Sequence, residues 1–220
     1  MFVIQDEPRK IISNYIDFVT RKKLGKLIVD GYKWAVLLQE NTLHFKSLRG
    51  RKRLLPEIKN VSVEFFMVQA VMNGELPFEY RIANNSKGSH PYLELYNDET
   101  VIHINQVSRE NACARKAICR EVLFQPIQSY AEFEELGEIN YHDKRYFQLN
   151  HGYQTKTPSF VTLGIPNQSY RFDTSIPILQ EYTAIEGDLP KSKIEKIDED
   201  FFNAFQQFAE GDEEREEGNG

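Results

Sequence analysis

Two stretches of this sequence have residue types and spacing that could do chemistry. The first is basic: Lys46, Arg49, Arg51, Lys52, Arg53 and Lys59 fall within fourteen residues. Lys and Arg bind phosphate because neutralising its charge releases condensed counterions. Gly50, between two arginines, lets the backbone come close to such a group. The run predicts a nucleic-acid contact over residues 46–59. The plainer reading is a solvated loop, or a basic face that docks the chain's own acidic tail. The second stretch is Glu57-Ile58-Lys59, the Glu-x-Lys half of a metal-dependent nuclease site. That chemistry needs a second carboxylate to share a divalent cation. Asp30 is the nearest upstream acid, and Pro56 argues against a central strand at this point.

The remaining reactive side chains are scattered. His44, His90, His103, His142 and His151 include no pair at ligand spacing, and Cys113 and Cys119 are the only cysteines. No metal site is therefore expected. His44 and His103 alternate with apolar neighbours and are expected to face solvent. His151, followed by Gly152 at a strand end, is a candidate catalytic base, with a simple turn as the competing reading. A cysteine paired with His103 or His151 would be a nucleophile only if folding brought the two together. The phosphate loop, the G-x-G-x-x-G fingerprint, the G-x-S-x-G elbow and H-E-x-x-H are all absent. That argues against the common ATPases, dehydrogenases, hydrolases and zinc proteases, and no cofactor is expected.

These residues need elements to hold them. The 220 residues, 40% hydrophobic and 12% aromatic, suffice for one core of ordinary size. The net charge of -6 divides unevenly: +7 over residues 1–59, -7 over 60–190 and -6 over 191–220. Such asymmetry predicts one face for an anionic partner. Two cysteines are too few for a disulfide framework and read as reduced thiols. No apolar run approaches the ~20 residues of a membrane span, and the N-terminus lacks a secretory pattern. The expectation is a cytoplasmic protein without membrane association.

Along the chain, Asp6-Glu7-Pro8 opens a helix over about 8–30, with Gly31 as its stop. Residues 32–39 and 42–48 read as a hairpin. Asn60 could cap a helix through Met72, ended by Gly74. Phe78–Ala83 reads as a strand, Tyr92–Tyr96 and Val101–Val107 as a hairpin, Arg109–Leu123 as a helix and 130–136 as a helical turn. Lys144–Asn150 and Ser159–Leu163 read as two further strands. Ser192 and Glu195 form a capping box for a C-terminal helix carrying Phe201, Phe205 and Phe208 on one stripe. An acidic tail, 211–220, follows it. The class is α+β. Residues 1–189 form one domain, 190–210 an amphipathic helix and 211–220 a disordered tail. The Phe stripe packs on the chain's own body or docks in a partner's groove.

The stretches HPYLELYNDETVIHINQV, ARKAICR and YFQLNHGYQTKTPSFVTLGIPN resemble a domain of unassigned activity found in bacteria and their mobile elements. The resemblance covers about residues 90–166, roughly a third of the chain. It implies a bacterial or phage setting and brings no functional residue with it. The leading functional expectation is a non-enzymatic binding or regulatory protein with a basic N-terminal surface. The alternative is a metal-dependent nuclease or another hydrolase using Glu57, Lys59 or His151.

Overall fold

The computed structural model describes residues 7–41, 53–84, 91–124, 144–152, 155–186 and 199–210. Two helices open it, α1 (Pro8–Ser13) and α2 (Phe18–Asn41), where the sequence predicts one over 8–30. Asp17 makes the second start. Its carboxylate accepts the Thr20 backbone N–H at 2.9 Å and the Thr20 hydroxyl at 2.7 Å, which satisfies a first-turn donor. α2 then continues past Gly31, so the strand expected over 32–39 is the end of this helix. Its expected partner, 42–48, lies outside the described residues.

The reason is packing. Ile28 and Tyr32 are buried in the core against the sheet, while Trp34 and Leu38 belong to a second apolar cluster. A helix buried on most of its faces shows no one-sided period, and its aromatic and branched residues read as strand formers. Gly31 is where α3 (Leu55–Met72) crosses α2. α3 begins five residues before Asn60, with Pro56 in its first turn. It ends as expected at Gly74, whose φ is +70°.

Six strands form one sheet in sequential order: β1 (Glu79–Asn84), β2 (Pro91–Tyr96), β3 (Thr100–Gln106), β4 (Arg145–His151), β5 (Val161–Pro166) and β6 (Phe172–Pro177). Neighbours are antiparallel except β3 and β4, which run parallel. The expected 92–107 hairpin is β2–β3. Its turn is held by Asn97, whose side-chain oxygen accepts the Glu99 and Thr100 N–H groups at 3.0 and 2.8 Å.

The parallel step requires a crossover. Its first part, residues 107–124, lies over the sheet face opposite α2 and α3. Only Ile118–Phe124 of it is helix (α4), not the predicted 109–123. The Ala114 N–H donates to Gln148 Oε1 and the Ala112 carbonyl accepts from Asn150 Nδ2, both at 2.9 Å. Backbone groups that a helix would use internally are committed to the sheet instead.

Among the described residues, two further helices, α5 (Ile178–Glu186) and α6 (Glu199–Glu210), belong to the α+β architecture. The main core joins Leu24, Ile28 and Met67 of the helices to Ile102, Phe147, Leu149 and Leu163 of the sheet. Among the described residues, no helix is long and apolar enough to cross a membrane.

Candidate functional site

Of the basic run, Lys46, Arg49, Arg51 and Lys52 lie outside the described residues, as does the capping box at Ser192 and Glu195. Arg53 is exposed just before α3. Glu57 is exposed and Lys59 buried on the same helix. At about 100° per residue, positions i and i+2 of a helix leave on opposite sides, so the Glu-x-Lys triplet does not form a carboxylate–ammonium pair. Asp30 is buried on α2 and ion-paired to Lys26. Among the described residues, no group of three or more His, Cys, Asp or Glu side chains could hold a metal ion.

Folding does bring Lys59 and His151 together, on Tyr32. The Tyr32 hydroxyl lies 2.8 Å from His151 Nδ1. The Lys59 ammonium sits 5.0 Å from the centre of the Tyr32 ring and donates to the Thr155 carbonyl at 2.7 Å. Burial lowers the His151 pKa to about 3 and that of Lys59 to about 8, and raises that of Tyr32. His151 is fully enclosed, and its Nε2 has no partner among the described residues. A general base must reach its substrate. These three side chains are instead a polar knot inside the core.

The opposite face of the sheet is polar and equally buried. His103, expected to face solvent, is 1% exposed because the 107–124 crossover covers it. Burial lowers its pKa, against the pull of Glu94. Neutral His103 satisfies one directional chain. Gln148 Nε2 donates to the Tyr146 hydroxyl at 3.2 Å, which donates to His103 Nδ1 at 3.2 Å. His103 Nε2 donates to Glu94 at 2.7 Å, and Arg81 Nε donates to the other Glu94 oxygen at 2.9 Å. Every member has a partner, which makes the chain a specifying element of the fold.

An open cleft lies beside this network, where β2 and β3 part. Their ladder covers only Glu94–His103, Leu95–Ile102 and Tyr96–Val101. Beyond it, residues 91–93 pair with β1 and 104–106 with β4. The resulting cavity of about 610 Å³ falls in the usual range for ligand sites. One wall is α3, with Glu57, Asn60 and Glu64; the other is the crossover, with Arg115, Cys119 and Arg120. Arg120 Nη2 donates to Asn105 at 2.7 Å and Nη1 to the Arg115 carbonyl at 2.8 Å, while its Nε is buried without a partner among the described residues. Glu64 accepts Asn60 Nδ2 at 2.9 Å and the Leu93 backbone N–H. Burial raises its pKa to about 7 despite those bonds.

Of these cleft residues the sequence singles out Glu57, Asn60 as a helix cap and Cys119 as a possible nucleophile, but not Glu64, Arg115 or Arg120. The available signal is polar alternation: His103 and Asn105 in β3, and Gln148 and Asn150 in β4, recur at period two between the apolar Ile102, Ile104, Phe147 and Leu149. Such strands bury both faces only if something polar covers the second one. The aromatic stripe of the C-terminal helix is spent internally. Phe205 is 8% exposed, and Phe201, Phe205 and Phe208 all pack edge-on or tilted against Phe65. No family model matches this chain, and no curated protein or solved structure resembles it.

Proposed function

We propose that this chain is an intracellular, non-enzymatic binding and regulatory protein. In this reading a nucleic acid places its phosphate on the crossover wall of the cleft, and Lys46, Arg49, Arg51, Lys52 and Arg53 supply further phosphate contacts. One observation carries it: the Arg120 guanidinium on the crossover wall of an open cleft, held in place by Asn105 and by the Arg115 carbonyl. Arginine's planar donors match phosphate oxygens. Arg115 is exposed on the same wall, and Arg53 is exposed three residues before Pro56, which lines the cleft. The resemblance over residues 90–166 adds a bacterial or mobile-element setting to the proposal. The nuclease alternative has no comparable support, since Glu57 and Lys59 leave α3 on opposite sides. Partner docking through Phe201, Phe205 and Phe208 would first require that stripe to leave its aromatic cluster.

The test is anisotropy of a labelled single-stranded oligonucleotide, titrated with the full chain at several salt concentrations. Replacing Arg49, Arg51, Lys52 and Arg53 together with Ala is expected to weaken binding and flatten its salt dependence. Arg115→Ala is expected to weaken it further. Unchanged affinity and slope in both variants, or no binding by the wild type, would overturn the proposal.

A further inference from the structure

The two walls of the cleft carry opposite charge and do not pair with each other: no described ion pair joins Glu57 or Glu64 to Arg115 or Arg120. Glu57 and Glu64 are seven residues apart, two helical turns, and so share one face of α3. A phosphate is repelled from that side and drawn to the arginines. A ligand that satisfies both walls must therefore be anionic at one end and rich in N–H donors at the other. The Asn60 and Leu93 donors orient the Glu64 carboxylate, and a carboxylate with about four lone-pair sites has acceptor capacity left. Tyr92 adds an aromatic side chain to the lining, on the strand that borders the gap.

We propose that the cleft binds one guanosine phosphate unit, its base edge on Glu64 and Asn60 and its phosphate on Arg120 and Arg115. This rests on the phosphate reading above and adds the base. Guanine presents two adjacent donors, N1–H and the N2 amino group, which suit the two oxygens of a carboxylate. Adenine places an acceptor, N1, beside its amino group, and that acceptor would face Glu64 without a donor once the carboxyl is ionised, above its pKa of about 7. A buried polar group left unpaired is what makes such discrimination strong. Donors already bound to Glu64 keep the carboxylate from turning away. The cavity of about 610 Å³ has room for a single nucleotide. A free nucleotide and an unpaired guanosine in a single strand offer the same chemistry.

Isothermal titration of the full chain with GMP and AMP tests this, beside two short single-stranded oligonucleotides that differ by one guanine. At least a tenfold preference for guanine is expected. It appears with free GMP if the natural ligand is a nucleotide, or only within the strand if it is a nucleic acid. Glu64→Gln is expected to remove the preference while leaving phosphate-dependent affinity, with Asn60→Ala as a second, milder variant. Arg115→Ala is expected to weaken guanine and adenine ligands equally. Equal binding of the two bases by the wild type would overturn the inference and leave the phosphate reading standing. Absence of binding by every ligand would overturn both.

Discussion

A Cβ on Gly31 would stand 2.8 Å from the Cα of Val63, so α2 and α3 meet backbone to backbone at this point. Alanine is the better helix former by about 1 kcal/mol, yet it has no room here. Gly31→Ala is expected to destabilise the protein by ~1–3 kcal/mol, the usual cost of overpacking. Urea denaturation measures it; equal or greater stability would show that the helices can separate freely.

Arg21 opens the basic stretch Arg21-Lys22-Lys23, yet it is 3% exposed. It donates to Glu181 through Nε at 2.9 Å and Nη2 at 3.3 Å, to the Ile16 carbonyl at 2.7 Å and to Ser13 at 2.9 Å. Arg21→Ala leaves the buried Glu181 carboxylate to the exposed Arg9, 3.7 Å away, and is expected to cost ~3–5 kcal/mol. High salt should not change that loss much, because buried pairs are weakly screened. A variant of normal stability with reduced oligonucleotide affinity would instead place Arg21 on the binding surface.

Two buried groups pull acid stability in opposite directions. His151 titrates near 6.5 when unfolded and near 3 when folded. Between those values the unfolded state binds the extra proton, so this contribution is complete above pH 6.5 and is lost as pH falls toward 3. It amounts to about 2 kcal/mol between pH 7 and 5. Glu64 goes from about 4.5 unfolded to about 7 folded, so the folded state binds the extra proton and stability rises as pH falls through that window. His151→Gln should therefore make the chain relatively more stable at pH 5 than at pH 7, and Glu64→Gln relatively less. Denaturation midpoints at the two pH values check both; identical pH profiles for all three proteins would contradict the assignment.

Trp34 is the single tryptophan, and its ring centre lies 6.1 Å from Phe205 and 4.9 Å from Phe201. Phe205→Ala is expected to cost ~3–5 kcal/mol and to shift Trp34 emission to the red as water reaches the indole. Removing residues 190–220 should do the same more strongly, with aggregation. A stable, soluble truncation with unaltered emission would mean that α6 does not cover Trp34.

The α+β class, the β2–β3 hairpin, β4, β5 and the Gly74 stop were legible because each rests on a local rule. The rules are alternation over a few residues, an asparagine turn and a glycine at positive φ. The strand expected over 32–39 failed for a nonlocal reason. Tyr32 reaches His151 on the sheet while Trp34 reaches Phe205 on α6, and burial on several sides erases helical periodicity. The predicted helix over 109–123 was shortened because Gln148 and Asn150, more than thirty residues away, take the backbone groups of Ala112 and Ala114. Residues 172–177 escaped notice because Asp173, Thr174 and Ser175 weaken their strand signal.

By itself, then, the sequence determined the α+β class, the charge asymmetry and the phenylalanine stripe, all of which depend on neighbours along the chain. Only the tertiary structure decided that Glu57 and Lys59 diverge, that His151 is sealed in and that Glu64 and Arg120 line one cleft. Those facts depend on which strands pair and where β2 and β3 stop pairing. Glu64 and Arg120 are 56 residues apart in the chain, and no local pattern records that a helix and a crossover will close on the same opening.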